Sequence, residues 1–565
     1  MTLYQKNSQM KKVKIGLIGL LLSGSVWLSY GFADNYFEIS KNLDIFSTLM
    51  RELNTYYVDE TKPGELMKTA IDGMLTSLDP YTNYIPESKI EDYKFMTTGQ
   101  YGGIGALIHK DSNLIVISEP YENFPAYKAG LKAGDILIEI DDKKVDGKST
   151  SEISEFLKGQ PGTEVDLKVK NPIDASTRKV TVVREKIKID DVPYYGMLDD
   201  EIGYIKLISF TQTSSQSFIE ALKALRKDSL KSLIFDLRGN GGGLLMEAVH
   251  IVNTVIPQGQ IVVETKGKLK EWDATYRTVN EPIDTKIPVV ILVDENSASA
   301  SEIVAGTLQD YDRAVIMGRE TFGKGLVQQT RPLSYNAQLK VTVAKYYIPS
   351  GRCIQKLDYS HKDLSGKAKE IPDSLIGVFK TLNNKRKVYD GKGIKPDVNL
   401  ERTKVSKLAL TLMRKHLVFD YATLYASKNK SIEDAGKFKF NDEDYQDFIS
   451  FLADKEYEYQ TKSEQLLSKL KKTAEKEKYY EGIQSEYEAL EAKIKHDKLS
   501  DLNKFKDEIK TLIESEIVSR FYFQKGRIKQ SLTNDSEIVE AKNLLHQMKR
   551  YDGILAGNYS EEEHN

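Results

Sequence analysis

The stretch from Asp294 to Gly306, Asp-Glu-Asn-Ser-Ala-Ser-Ala-Ser-Glu-Ile-Val-Ala-Gly, constrains this chain more than any other. It follows Ile287-Pro-Val-Val-Ile-Leu-Val293, an apolar β-branched run that reads as a buried strand. Beyond it, Ile303, Val304, Thr307 and Leu308 recur at helical spacing. Small residues therefore fill a sharp strand-to-helix turn, with serines where the helix begins. A hydroxyl at that position lies beside unpaired backbone N–H groups and the positive end of the helix dipole. It is a place to hold a nucleophile and to stabilise an oxyanion. Serines that merely cap the helix would give the same local pattern.

A second segment bears on the choice. Thr321-Phe-Gly-Lys-Gly-Leu-Val-Gln-Gln-Thr330 sets a lysine among small residues, with Gln328 further along. If Lys324 to Gln328 is extended, the two side chains share a face. A lysine held in such a place loses its charge by desolvation and serves as a base for serine. Its unperturbed pKa of about 10.4 makes that desolvation a requirement. A neighbouring glutamine orients the amine without adding charge. The chain has 7 histidines, none in either segment, which favours a Ser-Lys over a Ser-His-Asp arrangement. His250 is the one histidine near another core motif, and its expected role is structural.

These two runs and their separation resemble the C-terminal processing (tail-specific) serine peptidases, and the resemblance extends from about Phe37 to about Leu400. It implies Ser299 as nucleophile, Lys324 as base and Gln328 as its partner. Strand, glycine turn and helix recur at Ser232–Leu237, Arg238-Gly-Asn-Gly-Gly-Gly243 and Leu244–Val255, a geometry that points backbone amides outward. The resemblance makes that loop one half of an oxyanion hole, at Gly242 or Gly243, and the Ala300 amide the other half. The fold it implies is a multidomain α/β protein. A crotonase-like serine peptidase core carries an inserted PDZ β-rich domain and helical N- and C-terminal regions.

Tyr101-Gly-Gly-Ile-Gly-Ala-Leu-Ile108 reads as a glycine-rich turn running into a strand; it lacks the Gly-Lys-Ser/Thr ending of a phosphate loop. With Pro125-Ala-Tyr-Lys-Ala-Gly-Leu-Lys-Ala-Gly-Asp135 and the strands around it, it resembles a circularly permuted bacterial PDZ domain. Such a domain adds a C-terminal peptide to a sheet edge. The carboxylate nest is then Gly103, Ile104, Gly105 and Ala106, and the partners are protein or peptide substrates with apolar C-terminal tails. The resemblance also implies gating by PDZ movement, with Arg184 at the PDZ exit as a hinge contact. Leu78-Asp-Pro-Tyr-Thr-Asn-Tyr84 is a turn signal without chemistry.

Lys11-Lys-Val-Lys14, the apolar run Ile15 to Phe32 and the small-x-small site Gly31-Phe-Ala33 form an export signal or a membrane anchor. The expected location is a bacterial periplasm or cell envelope, with inner-membrane anchoring as the alternative. The divisions expected are 1–33 signal or anchor, 34–95 N-terminal helices, 96–186 PDZ, 187–400 peptidase core and 401–565 C-terminal helices. With 81 basic against 83 acidic residues, no global field favours nucleic acid. The single Cys353, placed in a strand as a small buried side chain, excludes an internal disulfide framework and a multi-cysteine zinc site. No metal or organic cofactor is implied. Lys356 to Lys387 reads as a surface insertion.

In the tail, Ile483, Tyr487, Leu490 and Ile494, then Leu502, Phe505, Ile509 and Leu512, form narrow apolar stripes. The stripes suit packing on the core, self-association or an adaptor. A non-catalytic peptide-binding PDZ scaffold on the same fold is the competing class, and a lipophilic-ligand carrier a more remote one.

Overall fold

The computed structural model describes residues 36–363, 366–494 and 498–558, so the leader or anchor expected at 1–33 lies outside the described residues. None of the described helices is long and apolar enough to cross a membrane. The described residues divide into two units, one ending at Tyr84 and the other beginning at Ile85. In the first, helices span 36–56 and Pro63–Thr76, the latter started by its proline. Asp79 closes the following turn by accepting from the Tyr81 and Thr82 amides, both at 2.8 Å.

The second unit is organised on a six-stranded sheet: β1 Tyr194–Met197, β2 Ile202–Lys206, β3 Ser232–Asp236, β4 Val289–Val293, β5 Val315–Gly318 and β6 Val398–Asn399. Chain order is also spatial order, antiparallel between β1 and β2 and parallel thereafter. Alternation along the strands separates two faces. Leu233, Phe235, Val289, Ile291, Val293 and Ile316 pack with the crossover helices Ser214–Lys227, Leu245–Val252 and Ala300–Asp310. Tyr204, Ile234, Val290, Leu292, Val315 and Met317 pack on Ile538, Ala541, Leu544, Tyr551 and Ile554. Those last residues lie on the helices Ser536–His546 and Met548–Leu555. The sequence reading placed both helices in the C-terminal helical region and left open whether it packs on the core. A parallel sheet must be covered on both faces, and these helices cover the second.

A second, antiparallel sheet contains Ile261–Gly267, Ala274–Arg277, Leu326–Pro332 and Gln338–Tyr347. Cys353 follows it outside any strand and is partly buried, because the chain leaves the sheet at Tyr347. The 356–387 segment is two short hairpins, Leu357–Lys362 with Ala368–Glu370 and Val378–Lys380 with Lys387–Tyr389.

Before the core, five main strands from Ala106 to Val183 enclose their own core of Ile115, Ile117, Leu137, Val165 and Val169 against the helix Thr150–Leu157. Ser149 and Glu152 form a capping box at the start of that helix. Half of the expected glycine turn is itself a strand. Gln100–Gly103 pairs antiparallel with Glu185–Lys188, so a ribbon forms where the chain enters and leaves this domain. Arg184 is buried, and it donates to the Phe156, Leu157 and Glu164 carbonyls and holds the end of the helix.

The helices from Lys407 onward build a third core around Leu412, Tyr421, Phe448, Ile509 and Ile513. The stripe Leu502, Phe505, Ile509 and Leu512 is spent there. The long helix Lys506–Ser531 is broken at Phe523, at φ 53°. The strand domain docks on these helices, with His109 stacked on His416 at 4.3 Å and Glu119 paired with Arg527 at 3.1 Å.

Candidate active site

Three loops leave the carboxyl ends of the neighbouring strands β3, β4 and β5. In the first, Asn240 is the organiser. Fully buried, its side chain donates to the Leu207 carbonyl and accepts the Gly242 amide, both at 2.9 Å. Its carbonyl takes the Ala298 amide at 3.0 Å and the Ser301 hydroxyl at 2.8 Å. The glycine loop is thereby laid against the serine loop. A Cβ on Gly242 would stand 2.8 Å from Ser299 Cβ and 2.9 Å from the Ala300 amide nitrogen, at φ +94°. Only glycine fits that approach. Gly243 is seated against Phe210, whose carbonyl lies 2.2 Å from where a Cβ would be.

Of the three serines, two have structural tasks. Ser297 donates to the Leu237 carbonyl and Ser301 to that of Asn240, each at 2.8 Å. Ser299 is the N-cap of the Ala300–Asp310 helix and is held at φ 55°, ψ −111°. That is an unfavourable conformation for a residue with a Cβ, worth about 1–3 kcal/mol of strain, and such strain persists only where neighbours fix it. Here two buried side chains do so.

Glu302, completely buried, accepts the Ser299 amide at 2.8 Å and the Lys324 amide at 2.9 Å on one oxygen. Its other oxygen accepts the Thr321 hydroxyl at 2.6 Å and the Gly323 amide at 2.7 Å. Tyr346, 1% exposed, donates from its hydroxyl to the carbonyls of the same two residues, Ser299 at 3.2 Å and Lys324 at 2.5 Å. One side chain gathers their N–H groups and the other their C=O groups. Burial pushes the Glu302 carboxyl up to about 7, against the pull of its four donors, Thr321 first. All four partners donate to it, a geometry that favours the ionised acid.

The structure thus brings Ser299, Ala300, Lys324 and the Gly242–Gly243 turn together. Lys324 is half-buried. Gln328 is related to it less simply than an unbroken extended run requires. The strand begins only at Leu326, and a bulge falls between Val327 and Gln328. Before the strand, Glu302 holds the Lys324 amide. The Gln328 carboxamide donates to Thr342 at 3.3 Å. Gly103, Ile104, Gly105 and Ala106 lie in the strand domain, where the Ile104 and Gly105 carbonyls are taken by the Ala126 and Tyr121 amides. His250 lies 3.7 Å from Glu247 on its own helix.

Glu302, Asn240 and Tyr346 were given no role from sequence. The Ser299-x-x-Glu302 spacing is a capping-box signal and could have singled out Glu302. Among the described residues, no cluster of His, Cys, Asp and Glu suits a metal ion.

Three sequence profiles match this chain. Peptidase family S41 covers residues 201–360, PDZ domain 116–171, and "Probable PDZ-protease, C-terminal helical domain" 408–545. A "Carboxy-terminal-processing protease" of Bartonella bacilliformis is 35% identical over 356 residues, 61% of this chain and 80% of that protein. A "Probable CtpA-like serine protease" of Staphylococcus aureus is 32% identical over 369 residues, 65% of this chain and 66% of that protein. Among solved structures, a "Photosystem II D1 C-terminal processing protease" is 26% identical, covering 63% of this chain and 92% of its own, with a TM-score of 0.34.

Proposed function

We propose, because the chain belongs to peptidase family S41 and is a carboxy-terminal-processing serine protease, that it is an endopeptidase of exported proteins and selects them by their C-terminal tails. The observation that carries the reading is the shared hold of Glu302 on Ser299 and Lys324.

Ser299 Oγ attacks the scissile carbonyl carbon, and its proton passes to the neutral amine of Lys324. The oxyanion is held by two backbone amides. One is that of Ala300, at the N-terminus of its helix. The other is assigned to Gly243, since the Gly242 amide already donates to Asn240. Collapse of the intermediate breaks the C–N bond, and Lys324 returns its proton to the departing amine. Water then attacks the Ser299 ester, again giving its proton to Lys324, and the serine is regenerated with release of the acid. Gln328 is proposed to orient the lysine. The Gly103-Ile104-Gly105-Ala106 turn is proposed to take the carboxylate of an apolar tail. The basic and apolar segments before residue 34 support export to a bacterial envelope.

The test is cleavage of an unfolded reporter with an apolar C-terminus by wild type, Ser299→Ala and Lys324→Ala. Cleavage by wild type alone is expected. Turnover that survives either substitution contradicts the assignment.

A further inference from the structure

A charged residue stands near the root of each loop: Arg238, second in the glycine loop, and Asp294 and Arg319, first in the serine and lysine loops. Each stands at the same remove from the residue given a chemical task, namely Gly243, Ser299 and Lys324. These roots are connected. Asp294 accepts the Gly239 amide at 2.9 Å and lies 4.0 Å from the Arg319 guanidinium.

The link between the two arginines comes from outside the loops. Glu537, in the first turn of the Ser536–His546 helix, takes Arg238 Nη1 on one oxygen at 2.7 Å and Arg319 Nη1 on the other. Asp535, the cap of that helix, adds a contact to Arg238 at 2.9 Å. Glu537 is buried, so little water is available to replace it. Each arginine also has a carboxylate of its own. Asp236 grips Arg238 at 3.0 and 2.7 Å, and Glu295 takes Arg319 at 2.8 Å. Without Glu537 both charges remain paired, and what is lost is the carboxylate that bridges the two arginines.

We propose that Glu537 is a positioning residue for the Ser299 centre. Through this one carboxylate the C-terminal helical region sets the glycine loop against the lysine loop, and so the oxyanion donor against the base. The inference rests on the roles given above to Ser299, Lys324 and Gly243.

Its test uses the full chain as wild type, Glu537→Gln, Ser299→Ala and Glu540→Gln, the last an exposed control on the same helix. Three quantities are read: kcat and KM on the unfolded reporter, the rate at which a small fluorophosphonate labels Ser299, and the melting temperature. Reacting groups displaced by about 1 Å cost roughly a hundredfold in rate, so Glu537→Gln should lower kcat about tenfold or more. KM should stay within about twofold, because the tail site is not touched. Labelling should slow by a similar factor to kcat, with Glu540→Gln like wild type. A folded Glu537→Gln chain with wild-type kcat and labelling overturns the proposal, even if its melting temperature falls. If that variant does not fold, Arg319→Lys keeps the charge, loses the fork to Glu537, and must show the same kcat loss. Cleavage by Ser299→Ala would instead overturn the centre itself, and the proposal with it.

Discussion

Substituting Glu302 separates its two tasks. In Glu302→Ala the amides of Ser299, Gly323 and Lys324 all lose their acceptor, that of Gly323 fully buried and the other two partly so. Each orphaned buried donor costs about 1–3 kcal/mol, so the loss of stability is on the order of 5 kcal/mol. The Ser299 and Lys324 backbones are then no longer held together, and kcat should fall roughly a hundredfold or more. In Glu302→Gln the new amide can point its N–H₂ at Thr321, whose hydroxyl turns to accept. Its carbonyl then keeps both Ser299 and Lys324, and only Gly323 is orphaned, at about 1–3 kcal/mol. Glutamine should therefore retain far more activity than alanine. Stopped assays for kcat and thermal melts for stability measure both. Equal damage from the two substitutions, or wild-type kcat in Glu302→Ala, would refute the reasoning.

The same residue predicts opposite pH trends for activity and stability. Burial lifts its carboxyl from 4.5 to about 7. Protonation costs it a donor as glutamine does, so kcat should fall toward the Glu302→Gln level as pH drops through about 7, a limb that Glu302→Gln itself lacks. For stability the sign reverses. Between pH 4.5 and 7 the folded chain holds more protons than the unfolded one, so this group's contribution declines as pH rises through that window.

Two further outcomes are expected. Tyr346→Phe removes the donor shared by the Ser299 and Lys324 carbonyls, costing about 1–2 kcal/mol, and should lower kcat with KM unchanged; a shift in KM alone would speak against it. Burial, and then the stacked His416, push His109 down to about 4 from 6.5, so its contribution to stability is lost as pH falls from 6.5 toward 4. His109→Phe should therefore gain melting temperature relative to wild type between pH 7 and pH 5, and a constant difference would contradict this. Asp420, lifted to about 6 by burial and by Asp111, titrates in both chains and cancels in the comparison.

Much of the centre is local in sequence and so was legible there. The apolar run before Asp294, the small residues and the helical spacing after Ser299 lie within one short stretch. What escaped is made by contacts across long separations. Arg238 meets Glu537 across 299 positions, and Arg319 meets it across 218, so no local pattern reports either pair. The last two helices carried no stripe singled out in the sequence, yet their apolar side chains close the second face of the sheet. The bulge between Val327 and Gln328 and the hold of Glu302 on the Lys324 amide are likewise not reported by local spacing.

The central claim is that Ser299 forms the acyl-enzyme with Lys324 as base. The most direct measurement is intact-mass analysis of the chain quenched during turnover of a slow peptide ester. An added acyl mass located on Ser299 is predicted, with none on Ser299→Ala and strongly slowed accumulation on Lys324→Ala. An acyl mass on another residue, or one that forms at wild-type rate in Lys324→Ala, would contradict the account.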